Sequence, residues 1–245
     1  MHARIVRLIG LLPILMLSGR AIATEAVTLH CTDNVEVHGT LSPARADNDK
    51  VLLLFHQAHA NRHEYDPLIA RFNQLGYDTL AIDQRSGGDL FGGHNRTVQA
   101  RGRSADYLDA LPDLDAALAW ARGRHYGTIV AVGSSYSSAL VIVLAARHPA
   151  GLSAIASFSP GEYFDDKNLI KRAAAKVSVP FYITTDPAEA GNVAEVLRDA
   201  HGSNIVHYRP RAGVHGASTL VQVRDPAGYA ANLQSFEAFL ATLGH

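Results

Sequence analysis

The sequence predicts an α/β fold built on one mostly parallel sheet. Short apolar runs of strand length alternate with longer segments of helical periodicity, which is typical of strands joined by crossover helices. The 245 residues, 47% hydrophobic and 18% charged, fit one domain of this class. A continuous apolar run at 51–55 is typical of a strand buried on both faces, so helices are expected on both faces of the sheet.

Each predicted element follows from a local pattern. A Thr-Asp-Asn turn between two short runs predicts an antiparallel hairpin at the sheet edge. Pro67 in a first turn and Gly76 after a last turn delimit the first helix, and Pro112 is expected to kink the second. The predicted strands are 26–31, 35–41, 51–55, 77–82, 128–132, 152–158, 179–184 and 204–208. The predicted helices are 66–75, 105–122, 139–149, 165–176, 188–200 and 227–243, and 83–103 is expected to be irregular.

The segment 139–149 is rich in β-branched residues but is predicted to be a helix. It follows a serine-rich turn and ends in Arg-His-Pro, as helix C-termini do. A helix that is apolar all round packs deep against a sheet. No insertion between the predicted elements is long enough to form a separate lid domain.

The first 23 residues have the pattern of a cleaved secretory signal. Arg4 and Arg7 precede an apolar run at 8–17, and an Ala-x-Ala arrangement follows at 21–23. This run is shorter than the roughly 20 residues that span a bilayer, so no stable membrane anchor is expected. We therefore expect export to the periplasm or the medium, with cleavage near Ala23.

The expected mature protein is a single domain at 24–245. Its formal charge is −4, because cleavage removes three arginines and no acid from a chain of net charge −1. The basic residues are scattered, so no nucleic-acid partner is expected. The one cysteine, Cys31, has no partner for an intramolecular disulfide, and neither metal spacing nor a cofactor motif is found. Oligomeric state is left open.

A serine-rich turn between a predicted strand and a predicted helix is the strongest chemical signal. Gly133, Ser135 and Ser137 form a small-x-Ser-x-small pattern, which lets the backbone close tightly and exposes the central hydroxyl. Ser135 is therefore the candidate nucleophile. The alternative is that Ser134 or Ser135 is an ordinary helix N-cap.

A serine nucleophile needs a base and a group that orients the base. His215 lies in a Gly-flanked loop after the last predicted strand and is the candidate base. Asp186 and Glu189 follow the preceding strand and are both candidates for the orienting acid. Either carboxylate could instead be a helix N-terminal charge. The backbone N–H groups of Tyr136 and Gln57 are the candidate oxyanion donors.

These motifs resemble those of the α/β-hydrolase superfamily, and most closely the dienelactone hydrolase and esterase type. The resemblance covers about residues 26–243 and rests on the order Ser, acid, His and on four segments, 54–57, 80–88, 133–137 and 214–216. It implies an α/β-hydrolase fold with a mostly parallel central sheet, helices on both faces and a minimal or absent lid. It also implies that Asp83 and Arg85 brace their loop.

The resemblance also bears on the acid and on two departures from the pattern. In this type the acid lies eight or nine positions after the proline that opens its strand, which from Pro180 implies Glu189, with Asp186 as second candidate. Gln57 and Ser137 stand where the pattern has glycine. A backbone N–H is still expected at both positions, so these changes are expected to reshape the pocket.

The leading hypothesis is an exported serine hydrolase that cleaves small carboxylic esters through an acyl-enzyme on Ser135. A peptidase or lactone hydrolase on the same residues is an alternative, because one fold hosts many reactions. A non-catalytic exported binding protein is the other alternative. The arginines Arg96, Arg101 and Arg103 either meet a carboxylate-bearing substrate or lie in a solvated loop.

Overall fold

The computed structural model describes residues 23–45 and 47–243, so the predicted signal at 1–23 lies outside the described residues except for its last residue. The described chain is organised around an eight-stranded sheet. Its strands are β1 (Glu25–His30), β2 (Glu36–Ser42), β3 (Lys50–Phe55), β4 (Asp78–Ile82), β5 (Thr128–Ser134), β6 (Ala154–Phe158), β7 (Phe181–Thr184) and β8 (Ile205–His207). Each of the eight predicted strands is found, with shifted ends.

The sheet is parallel except at one edge, as predicted. The spatial order is β1-β2-β4-β3-β5-β6-β7-β8, and only the pairs β1·β2 and β2·β4 are antiparallel. Strand β3 lies between β4 and β5, with Phe55 opposite Gly133 in the register. The chain therefore reverses its direction of winding between β3 and β5, and open α/β sheets bind ligands outside the carboxyl ends of strands at such a point.

Helices cover both faces of the sheet, as predicted. On one face α1 and α7 pack against apolar side chains of the central strands, and Phe72 meets Phe236 edge to face at 6.0 Å. On the other face the buried cluster includes α3 to α6. The helices are α1 (Asp66–Gln74), α2 (Arg96–Arg101), α3 (Leu111–Gly123), α4 (Tyr136–Arg147), α5 (Leu169–Ala174), α6 (Ala190–Val196) and α7 (Tyr229–Ala241). Short 3-10 turns lie at Arg62–Tyr65, Leu108–Ala110, Pro187–Glu189 and Gly216–Leu220.

Helix α4 confirms the interpretation of the most ambiguous segment. It starts directly after Ser135, and its residues 136–145 are all buried. Their β-branched side chains are accommodated because the helix packs between the sheet and α3 and α5.

Three predicted helix features differ from the structure. Pro112 lies in the first turn of α3, where its missing N–H costs nothing, so the expected kink is wrong. The irregular stretch contains α2, which is too short for a periodic signal and is capped by Asn95 through Val98 N–H at 2.8 Å. Helix α5 begins at Leu169, where the Glu162 carboxylate accepts the first free N–H groups.

No helical domain interrupts the described elements, so the expectation of a minimal or absent lid is met over that part of the chain. Among the same residues no helix combines the length and the apolar character that crossing a bilayer requires.

Candidate active site

Ser135 lies at the sharp turn between β5 and α4. Its backbone has φ 57° and ψ −123°, a strained conformation for a residue with a side chain. The turn closes tightly, since a Cβ on Gly133 would lie 2.3 Å from the carbonyl oxygen of Ser137. This geometry lifts the Ser135 side chain out of the sheet at the carboxyl end of β5.

His215 connects Ser135 to a carboxylate. The Ser135 Oγ lies 2.7 Å from His215 Nε2, and the opposite ring nitrogen, Nδ1, lies 2.8 and 3.0 Å from the two carboxylate oxygens of Glu189. A carboxylate can only accept, so Nδ1 carries the proton and Nε2 is free to accept the hydroxyl hydrogen of Ser135. The ring is therefore held in the tautomer that can take a proton from the serine.

The two candidate acids have different partners. Glu189 contacts His215, whereas the Asp186 carboxylate accepts a hydrogen bond from Ala188 N–H at 2.6 Å and caps the short turn Pro187–Glu189. The structure thus brings Glu189 together with Ser135 and His215, and gives Asp186 the capping position. The catalytic roles of these residues stay predictions.

Two residues that the sequence reasoning missed support this arrangement. The Thr185 hydroxyl lies 3.0 Å from Glu189 Oε2, and Ser159 Oγ accepts a hydrogen bond from Gly216 N–H at 2.9 Å. The hydroxyls of Thr185 and Ser159 are themselves 3.2 Å apart. Both residues directly follow a strand of the parallel sheet, β7 and β6, and this position is the signal that could have identified them.

The candidate oxyanion donors differ from the prediction. Tyr136 N–H, at the start of α4, has no hydrogen-bond acceptor among the described residues. In contrast, Gln57 N–H donates to Glu64 Oε2 at 2.7 Å, so the prediction that Gln57 supplies a donor does not hold in this arrangement. The physical reason is that a buried carboxylate already accepts this hydrogen. The next N–H in the loop, that of Ala58, has no acceptor within the described chain.

His56 fixes the orientation of the Ala58 N–H. Burial lowers the pKa of His56 to about 4, so the ring is neutral. Its Nε2 accepts from Gln84 N–H at 3.0 Å, which places the proton on Nδ1, and Nδ1 donates to the Gln57 carbonyl oxygen at 2.8 Å. That carbonyl shares a trans peptide with Ala58 N–H, so holding one group fixes the direction of the other.

A cavity of about 750 Å³ is lined in part by Tyr163, whose side chain neighbours that of Ser135, while Ser135, His215 and Glu189 are not themselves among its lining residues. Burial raises the pKa of Tyr163, in its wall, to about 12, and the neighbouring Ser135 side chain opposes this shift. Tyr107, also in the wall, stacks on Tyr136 with ring centroids 4.6 Å apart. The apolar part of the lining consists mainly of Tyr107, Leu108, Tyr163, Phe164 and Leu169.

The charged lining of this cavity is acidic. It contains Asp106, Asp109, Asp165 and Asp166, of which Asp166 is paired with Arg172. No lysine or arginine is among the described lining residues, and Arg96, Arg101 and Arg103 lie elsewhere. The lining therefore does not support the alternative in which those arginines meet a carboxylate-bearing substrate.

Other charged side chains near the site are used inside the protein. Asp83 pairs with Arg62 and accepts Arg96 N–H at 2.8 Å, and Arg85 pairs with Asp33 and Asp113. The prediction that Asp83 and Arg85 brace their loop is confirmed. Within residues 23–45 and 47–243, no group of three or more His, Cys, Asp or Glu side chains is arranged to hold a metal ion.

Comparison with known proteins assigns the family. A sequence model described as serine aminopeptidase, S33, matches residues 46–217. The chain belongs to this family of hydrolases. As a member of the family it has the predicted α/β-hydrolase fold, and the predicted superfamily is confirmed. No curated protein sequence matches the chain.

Solved structures with this fold include esterases. An esterase of Pyrococcus furiosus superposes with a TM-score of 0.71 at 18% identity, covering 91% of this chain and 93% of that one. A carboxyl esterase of Bacillus coagulans has a TM-score of 0.69 at 12% identity, covering 91% and 99%. A dienelactone hydrolase of Anabaena variabilis has a TM-score of 0.66 at 18% identity, covering 91% and 99%. At these identities the likeness bears on the fold alone.

Proposed function

We propose that this family member is a serine hydrolase that cleaves small carboxylic esters. The observation that carries the proposal is the continuous contact from Ser135 Oγ through the His215 ring to the Glu189 carboxylate, with the serine at a strained turn. A hydroxyl becomes an effective nucleophile when a base accepts its proton, and a carboxylate orients that base.

Each step of the proposed reaction has a group to perform it. Ser135 Oγ attacks the ester carbonyl while His215 Nε2 takes its proton, and the ring then returns the proton to the leaving alcohol. Tyr136 N–H and Ala58 N–H donate to the oxyanion of the tetrahedral intermediate. Water then attacks the acyl-enzyme by the same route in reverse, with His215 again acting as base.

We assign the cavity that Tyr163 joins to Ser135 to the substrate, and this cavity favours an uncharged substrate group with apolar surface. Its tyrosines, phenylalanine and leucines bury apolar area, and its aspartates repel anions. We therefore propose that the substrates are small neutral esters. The P. furiosus and B. coagulans proteins of similar fold are described as esterases, which agrees with this choice.

A peptidase that uses the same three residues is the second candidate. It is favoured by the description of the matching family, which names a serine aminopeptidase. The two candidates differ in the leaving group, which is an alcohol in one and an amine in the other. Comparing p-nitrophenyl esters with aminoacyl p-nitroanilides separates them, since ester cleavage alone supports the first proposal.

The test of the proposed function is active-site labelling combined with turnover. We expect a fluorophosphonate probe to label the wild-type protein, and peptide mapping to locate the adduct on Ser135. Ser135→Ala should remain folded, resist labelling and lose nearly all hydrolysis of p-nitrophenyl esters of increasing chain length. Equal labelling of the variant, or unchanged turnover, would remove Ser135 from the mechanism. An unlabelled wild type without turnover would favour the binding-protein alternative.

We also propose that the protein works outside the cytoplasm. The proposal rests on the basic, apolar and Ala-x-Ala order of residues 1–23. The single cysteine is buried and needs no partner in an oxidising compartment.

A further inference from the structure

Glu64 is a buried carboxylate close to the proposed catalytic groups. Its residue is 1% exposed, and it lies in the short turn Arg62–Tyr65 after the loop that leaves β3. Its Oε2 accepts from Gln57 N–H and its Oε1 accepts from the Ser134 hydroxyl, each at 2.7 Å. Neither the proposed reaction nor the pattern of the resembled family motifs assigns it a role.

These bonds connect three loops that carry the proposed machinery. Gln57 directly precedes Ala58 in the loop after β3, which we call the oxyanion loop because Ala58 N–H is a proposed oxyanion donor. Ser134 directly precedes Ser135, the proposed nucleophile. Ser134 Oγ also accepts a hydrogen bond from Ala217 N–H at 2.8 Å, two residues after His215. One carboxylate therefore holds the loop after β3, the turn after β5 and the histidine loop at fixed mutual positions.

The charge state of Glu64 decides whether all these bonds can form. As a carboxylate it accepts from two donors. As a carboxylic acid it has a hydrogen of its own to donate, and both partners are donors to it in the observed arrangement, so one bond must break or reverse. A protonated Glu64 holds the loops less well.

Several titratable groups face Glu64. Arg224 donates to its backbone carbonyl oxygen at 2.8 Å, and the charges of Arg224 and His215 act on its carboxylate. The hydroxyls of Tyr65 and Tyr136 are the other such groups, and burial keeps both neutral by raising their pKa. Burial also raises the pKa of Glu64 from 4.5 to about 7, against the opposing hydrogen bonds and positive charges.

We propose that Glu64, in its ionised form, is a positioning residue that holds the oxyanion loop against the nucleophile turn and the histidine loop. This role rests on the proposed function. Glu64 touches no reacting atom and acts through Gln57 and Ser134. Its loss should therefore reduce the stabilisation of the transition state more than the binding of the substrate.

The activity test compares Glu64→Gln with a matched control, Asp78→Asn. Asp78 is also a buried carboxylate with several donors, including Ala44 N–H at 2.7 Å, but it lies at the amino end of β4, the opposite end of the sheet. We expect Glu64→Gln to lower kcat by about 10- to 100-fold, as misplacement of catalytic groups does, with KM changed less than about threefold. Asp78→Asn should lower only the melting temperature.

The pH profile distinguishes positioning from a merely structural role. In the wild type both His215 and Glu64 must lose a proton, so log kcat/KM should fall on the acid side with a slope approaching about 2. In Glu64→Gln the slope should be about 1, because one ionisation is gone. A wild-type profile with a single ionisation that the variant leaves unchanged would overturn the proposal.

The stability of Glu64→Gln relative to wild type should change with pH in a defined direction. Burying the charge costs more free energy than the hydrogen bonds return, which is why the folded-state pKa of Glu64 is raised although only the ionised form accepts both loop bonds. The contribution of this group to global stability is therefore full below its unfolded pKa and is lost as the pH rises through about 7. The melting temperature of Glu64→Gln, relative to wild type, should therefore increase between pH 5 and pH 8. A difference in melting temperature that stays constant with pH would contradict the raised pKa of Glu64. It would also contradict the idea that the protonation of Glu64 controls how firmly the loops are held.

Amide hydrogen exchange tests the loop connection without any turnover. Glu64→Gln should accelerate exchange in peptides covering 56–61 and 215–219, and Asp78→Asn should not. If the wild type shows no Ser135-dependent hydrolysis, the proposed function fails, and this exchange result alone decides whether Glu64 holds the loops.

Should Glu64→Gln fail to fold, Ser134→Ala removes one end of the connection and should show the same changes in smaller degree. Wild-type exchange and wild-type kcat in a folded variant would refute the proposal.

Discussion

Ser137 donates its hydroxyl hydrogen to the carbonyl oxygen of His56 over 2.5 Å, and thereby connects the first turn of α4 to the loop after β3. The Gln84 side-chain amide donates to the same hydroxyl at 2.9 Å. Ser137 stands where the resembled motif has glycine, which lacks a group that could make these bonds. In this protein the turn at Ser135 and the loop after β3 are thus joined by a side chain as well as by the sheet.

Ser137→Ala should lower both stability and turnover. It leaves the buried carbonyl oxygen of His56 without its donor, which costs about 1–3 kcal/mol, and it loosens the His56–Gln57 peptide, directly before the peptide that carries Ala58 N–H. Ser157→Ala is the control, because Ser157 is also buried and its hydroxyl donates to the Ser138 carbonyl oxygen at 3.0 Å. Thermal unfolding should show a loss of stability in both variants, whereas kcat should fall only in Ser137→Ala. Equal kcat values in the two variants would contradict a link to the oxyanion loop.

Glu189→Gln should lower kcat by orders of magnitude and leave KM nearly unchanged. The amide no longer stabilises the imidazolium that forms when His215 takes the proton. Asp186→Asn should instead cost about 0.3–1 kcal/mol of stability and little activity, since its carboxylate caps a short turn. Ester hydrolysis and melting temperature measured for both variants check this. The reverse result would transfer the role to Asp186, and full activity in both would mean that neither carboxylate orients His215.

Gly133→Ala should destabilise the protein by about 1–3 kcal/mol, because its Cβ would overlap backbone atoms of Ser137 and Ser138 that cannot move without opening the turn. Gly123→Ala, at the end of α3, is the control, since nothing lies within 4 Å of an added Cβ there. Denaturant unfolding of the two variants measures the difference. Similar stability for both would mean that the turn is not closed as described.

Esters that carry a carboxylate should be poor substrates. The aspartates of the cavity repel an anion, so kcat/KM for an anionic ester should lie at least about tenfold below that of a neutral ester of equal size, and added salt should narrow the gap. Asp165→Asn should raise kcat/KM for the anionic ester and leave kcat/KM for the neutral ester unchanged. A preference for the anionic ester would reverse the assignment of substrate class.

The mature protein should begin near Thr24. A secretory signal is cut after the second small residue of Ala-x-Ala, which here is Ala23. Intact-mass measurement of the protein recovered from the periplasm or the medium gives the terminus directly. Recovery of the uncleaved chain from the cytosol would rule out export by this signal.

The sequence by itself determined the α/β class, the strands and the sharp turn at Ser135. These features follow from patterns among residues that are close together in the chain. The patterns are the apolar run of β3, the small residues on either side of Ser135, and the apolar residues all round α4. Local sterics and periodicity are sufficient for such features, because neighbours in the chain are also neighbours in space.

Only the tertiary structure decided which groups meet. Asp186 and Glu189 are only three residues apart. The spacing from Pro180 in the resembled motif favoured Glu189, and in the structure Glu189 contacts His215 while Asp186 caps the short turn between them. Likewise, whether Gln57 N–H was free to donate to an oxyanion depended on Glu64. The turn Arg62–Tyr65 places the Glu64 carboxylate against Gln57 N–H, which donates to it. Contacts of this kind depend on distances of a few ångströms between separate loops, and a one-dimensional pattern does not encode those distances.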